Sequence, residues 1–122
     1  MIKIEAIFRH QRLAIVREAL YGLGLRGFHY HDVVGTGYSQ GGRQVFEGRE
    51  YQNDPLPRVK LTVVVEDHEA DKVADTIMRA ARQTRAGDGK IFVSEIKEVI
   101  RVRTGETGVD ALRPSRIPAT DS

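Results

Sequence analysis

Gly87, Asp88, Gly89 and Lys90 stand together, and Arg101 and Arg103 follow a short way downstream. Glycine has no Cβ, so the backbone at Gly87 and Gly89 can come close to a ligand and offer its N–H groups. Lys90 adds a compact positive charge, and arginine adds planar forks that match phosphate oxygens. The chemistry these residue types suit is the holding of a polyphosphate. The spacing is not that of a P-loop, which needs Gly-Lys followed by Ser or Thr. Ile91 follows the lysine here, so no hydroxyl is placed for Mg²⁺. Arg101 and Arg103 are two apart, which puts both side chains on one face if that stretch is extended.

Other chemistries lack their residues. No nucleophile–base pair and no carboxylate dyad stands out, so no catalytic residue is assigned and the chain does not read as an enzyme. Glu66, Asp67, Glu69, Asp71 and Asp75 read as a helix start and its solvated face, where acidic groups suit the helix dipole. His29 and His31 would share a face of a strand, but no third metal ligand follows at a clear spacing. No metal site is therefore assigned. With no cysteine among 122 residues there is no disulfide framework or thiolate chemistry.

One domain is expected at this length. The net charge of +2 comes from basic residues interleaved with acidic ones, which argues against a nucleic-acid partner. No apolar run reaches the length of a membrane span, and the N-terminus lacks a signal-peptide core, so a cytoplasmic protein without membrane insertion is expected.

The elements that must position these residues follow from periodicity. Ile2, Ile4, Ala6 and Phe8 alternate with polar residues as in a strand. Leu13, Val16, Leu20 and Leu23 form a helical stripe, which Gly22, Gly24 and Gly27 end. A second strand runs from about Gly27 to Gly35, and a third, β-branched one from Val59 to Val65. Asp67 is placed to cap a second helix with the stripe Ala70, Val73, Ala74, Ile77 and Ala81. Lys90 to Ile96 reads as a fourth strand and Val99 to Arg103 as a short extended piece. The order β-α-β-β-α-β is the α+β, ferredoxin-like plan. Between strands 2 and 3, Thr36 to Asp54 shows no periodicity and is roughly three to four times longer than an ordinary hairpin loop. Its Tyr38, Val45, Phe46 and Tyr51 offer contact surface. Residues 113–122 carry few apolar groups and read as a flexible tail after a domain spanning 1–112.

Taken together, these stretches resemble the PII family of nitrogen-regulatory signal proteins. The resemblance is carried by Ile2-Lys3-Ile4-Glu5-Ala6-Ile7, by Gly35-x-Gly37, and by Gly48-Arg49-Glu50-Tyr51. Leu56-Pro57-Arg58-Val59-Lys60, Ala80-Ala81-Arg82, the Gly87–Val93 run and Arg101-Val102-Arg103-Thr104-Gly105-Glu106 complete it. The resemblance implies a homotrimer that binds ATP or ADP in clefts between subunits. It also implies that the long segment, the T-loop, docks onto a target transporter or metabolic enzyme. By the same resemblance Gly87, Gly89 and Lys90 hold phosphates, Asp88 counts among the nucleotide-binding residues, and Arg101 and Arg103 reach across from a neighbouring subunit. Gly35 and Gly37 close the site, Val64 and His29 lie near adenine, and Tyr38 stands where an arginine can contact phosphate. Tyr51 matches a tyrosine that some bacterial members carry as a nucleotidylation site.

The departures cluster in the effector positions. In the family a glutamine at the position of Ser39 helps hold Mg²⁺ between ATP and 2-oxoglutarate. Serine is too short for that reach, although Gln40 is next door. The lysine that pairs with 2-oxoglutarate is Arg58 here, which keeps the charge but changes its geometry. Two rival readings follow. One is a PII-like module for another small ligand, a cyclic nucleotide or bicarbonate, with 2-oxoglutarate sensing lost. The other is a slow nucleotide hydrolase, against which the missing catalytic base speaks.

Overall fold

The computed structural model describes residues 1–36, 56–84 and 87–119, together with the backbone of 43–46 and 49–52. Strand β1 (Ile2–Arg9) leads through a 3-10 turn at His10–Arg12 into helix α1 (Leu13–Gly22). Strand β2 (Phe28–Gly35) follows, then the short strands β3 (Arg43–Phe46) and β4 (Arg49–Gln52), and the long strand β5 (Leu56–Val65). A second 3-10 turn, Asp67–Glu69, precedes helix α2 (Ala70–Ala81), strand β6 (Gly89–Glu95) and the one-turn helix α3 (Val109–Leu112).

The main sheet has the order β2-β5-β1-β6 with every pairing antiparallel. This is the expected ferredoxin-like βαββαβ arrangement. Alternation decides its faces. Ile4, Ala6 and Phe8 of β1 and Val59, Leu61, Val63 and Val65 of β5 are buried against the helices. Val16 and Leu20 of α1 and Val73, Ile77 and Ala81 of α2 meet them, which are the stripes the sequence predicts. The opposite face carries Lys3, Glu5, Ile7 and Arg9 from β1 and Arg58, Lys60, Thr62 and Val64 from β5. On it Glu5 lies 2.9 Å from both Lys3 and Lys60, and these two ammonium groups hold its carboxyl down to about 2.

Helix α1 ends in a Schellman motif. Gly24 takes φ +84°, its N–H donates to Tyr21, and the Leu25 N–H donates to Leu20. The other helix starts differently from expectation. Asp67 does not cap α2: it opens the 3-10 turn, and its carboxylate accepts the Met1 amino group at 2.6 Å. The third strand begins at Leu56, ahead of Val59, and the segment read as aperiodic contains the β3–β4 hairpin, with Arg43 opposite Gln52. Neither of its four-residue strands, RQVF and REYQ, alternates apolar with polar residues.

Candidate functional site

Helix α2 ends at Ala81, where the Arg12 guanidinium donates to the Ala80 carbonyl from Nε at 3.0 Å and from Nη2 at 2.8 Å. The chain then turns into β6. Asp88 fixes this turn from within: its carboxylate accepts the Gln83 backbone N–H at 3.0 Å and the Arg9 Nε–H at 3.4 Å. Gly87 and Gly89 take φ +85° and +120°, in the left-handed region that glycine tolerates. Gly89 is also seated against β1, where an ideal Cβ would lie 1.8 Å from the Ile7 carbonyl oxygen. Only glycine fits there. From Gly89 the strand carries the exposed Lys90 onto the sheet face opposite the core, directly across from Ile7.

Arg58 belongs to the same end of that face. It pairs with Arg9 on one side and Val33 on the other. Burial and the neighbouring Arg9 charge both lower its pKa, against the pull of Asp88. Its stem runs over Gly35, where an added Cβ would meet the Arg58 Cγ at 3.1 Å. Gly35, Arg58, Arg9, Asp88, Gly89 and Lys90 therefore lie at one end of the sheet, spread across it from β2 to β6. Sequence reasoning missed Arg9. Its place in the β1 alternation set its face, but only the register of β1 with β5 and β6 shows which charges it meets. Val64 and His29 lie on the same face but nearer its other end. Val64 is four residues along β5 from the row of Lys60, Ile7 and Lys90, about 13 Å away. Gly37, Tyr38, Ser39 and Gln40 lie outside the described residues, and Tyr51 is described by its β4 backbone alone.

Arg101 and Arg103 sit elsewhere. The stretch Val99 to Arg103 is not a strand with both side chains on one face. Ile100 bridges Thr107, and the intervening residues turn back, with the Arg101 N–H donating to Glu106 and the Gly105 N–H to Arg101. The Arg101 guanidinium pairs with Glu106 at 2.9 Å and donates to the carbonyls of Asp110, Ala111 and Arg113. The Glu106 carboxyl is held below its usual range by hydrogen bonds from Ser115 and Thr104 and by the Arg101 charge. Arg103 donates to the carbonyls of Ile117 and Pro118. This cluster lies where β1 begins, for Ile96 donates to Met1 and Arg113 pairs with Glu66 just past β5. The glycine turn lies where β1 ends. From Ile2, opposite Glu95, to Phe8, opposite Gly89, is about 20 Å along the strand.

Among the described residues no group of three or more acidic, histidine or cysteine side chains is placed to hold a metal. No helix of the described residues is long and apolar enough to cross a membrane.

The fold and the glycine-fixed turn define a ferredoxin-like domain with a basic cluster at one end of its sheet. The chain belongs to the P-II family of nitrogen regulatory proteins, whose family model matches residues 1–106. It is 48% identical over 112 residues to the nitrogen regulatory protein P-II of Rhizobium meliloti (strain 1021), covering 92% of this chain and all of that one. The P-II protein of Azospirillum brasilense is 44% identical over the same shares. The crystal structure of Arabidopsis thaliana PII bound to citrate superposes with a TM-score of 0.73 at 39% identity, covering 90% of both chains. As a member of this family the chain is a nitrogen-signalling regulator and not an enzyme.

Proposed function

We propose that the protein binds ATP or ADP in clefts between three identical subunits and controls a target transporter or enzyme through the loop between β2 and β5. One observation carries this reading. The two cationic groups suited to a polyphosphate lie by opposite ends of β1, Lys90 of the glycine turn by its end and the Arg101–Arg103 turn by its beginning, and the strand between spans about 20 Å. A nucleotide's phosphates are far shorter than that. Both groups can hold one ligand only if a second copy brings its arginines to the first copy's glycine turn. The turn itself suits phosphate: its two glycines take positive φ and carry no side chain to keep a ligand off the backbone, and Lys90 is exposed beside them. ATP and ADP differ by one phosphate, so only contacts to that phosphate can bias the loop.

A second ligand is favoured by Arg9 and Arg58, two arginines paired across β1 and β5 near the foot of that loop. They suit a carboxylate such as 2-oxoglutarate. The solved Arabidopsis relative is bound to citrate, which is also rich in carboxylates. If the pair instead serves a ligand such as bicarbonate or a cyclic nucleotide, 2-oxoglutarate has no effect.

Titration calorimetry with ATP and ADP, each with and without Mg²⁺ and 2-oxoglutarate, tests these statements. Sedimentation equilibrium beside it gives the subunit number. Binding of ATP by a trimer is the expected result. A monomer, or a trimer indifferent to both nucleotides, overturns the reading.

A further inference from the structure

The family model stops at residue 106, and the chain beyond it folds back onto the arginine turn. The Ile117 and Pro118 carbonyls accept from Arg103 Nη2 and Nη1 at 2.9 and 3.1 Å. Two oxygens set side by side on one guanidinium fork are the pattern that a phosphate also presents. Two anchors hold them there. Ser115 Oγ donates to Glu106 at 2.5 Å and accepts the Ile117 N–H at 3.0 Å. Arg113 makes a forked pair with Glu66, Nε–Oε2 at 3.1 Å and Nη2–Oε1 at 2.7 Å.

We infer that residues 113–118 are an internal competitor for the polyphosphate, latched onto Arg103 and displaced when the ligand arrives. The inference rests on the nucleotide reading above. The two arginines then differ in role. Arg101 is pinned by Glu106 and three carbonyls, and so positions the turn. Arg103 meets only neutral acceptors from the tail among the described residues, and a charged phosphate outbids neutral carbonyls at the same fork. The latch sets a threshold, because apparent affinity falls with the fraction of molecules whose Arg103 is already released.

The test is calorimetric titration of ATP into the full chain and into its double variant Arg113→Ala/Ser115→Ala, with the fold of the variant checked by circular dichroism. The variant should bind about fivefold tighter, the change that loss of two surface anchors produces. Equal or weaker binding overturns the inference. If neither protein binds ATP, the nucleotide reading fails by itself, and inorganic tripolyphosphate becomes the probe. Tighter binding of it by the variant upholds the latch, and equal or absent binding removes it. If the variant does not fold, the wild-type chain decides by NMR. The amide signals of Ser115 to Ile117 should move to random-coil positions on saturation with ATP or tripolyphosphate, and unmoved signals overturn the latch.

Discussion

Gly89 and Ile7 approach one another so closely that an ideal Cβ on the glycine would stand 1.8 Å from the isoleucine carbonyl oxygen. The partner atom is backbone at the centre of the sheet, so it cannot swing aside. Gly89→Ala should therefore lower stability by about 2–4 kcal/mol, from a φ of +120° imposed on alanine together with overpacking. Urea denaturation measures it. A loss below about 0.5 kcal/mol, the range of neutral surface changes, would show that the turn relaxes.

Lys90 is exposed and makes no contribution to the core. Lys90→Ala should leave the urea midpoint where it is and weaken ATP binding by about 1.5–3 kcal/mol, the range for hydrogen bonds to charged groups. Calorimetric titration reads the change. Undiminished affinity would place the phosphates elsewhere.

Glu5 gives a pH prediction with a definite sign. Its carboxyl titrates at about 2 in the folded chain, against 4.5 ordinarily, because Lys3 and Lys60 both donate to it. A depressed carboxylate stabilises the fold above its unfolded pKa, and that contribution is lost as pH falls from about 4.5 towards 2. Melting temperatures of wild type and Glu5→Gln should therefore converge on acidification through this window. Parallel curves would mean that the two lysines do not hold the carboxylate in solution.

Ile77 is fully buried where α2 meets the sheet. Ile77→Ala should cost about 2–5 kcal/mol, the range for emptying a packed core site. Chemical denaturation gives the figure, and a cost under about 1 kcal/mol would show that α2 collapses into the space.

Much of the fold is legible in the chain because each signal is local. The alternation of Ile4, Ala6 and Phe8 and the stripe of Val73, Ile77 and Ala81 each state a face, and the faces fit together in one way. The glycine turn is legible for the same reason: only glycine tolerates the φ of residues 87 and 89. What escaped depends on pairing between distant residues. The sequence of Arg101 and Arg103 is compatible with a strand. Glu106, five positions on from Arg101, and the carbonyls of residues 110–118 make it a turn, and no periodicity in the chain marks those partners. Asp67 has the chemistry of a helix cap, but the Met1 amino group lies nearer in space and takes it. Arg9 meets Asp88 across 79 positions of sequence, so its role is invisible until β1 and β6 are in register.

The long loop enters and leaves the sheet at a directly paired couple, Gly35 with Leu56. Arg58 stands two residues inside that doorway, with its stem laid across Gly35 and its charge beside Arg9. Both hinge posts thus share one bolt. A shift of the Arg58 side chain would therefore be felt at Gly35 and, two residues along its own strand, at Leu56, the two ends of the segment that joins β2 to β5.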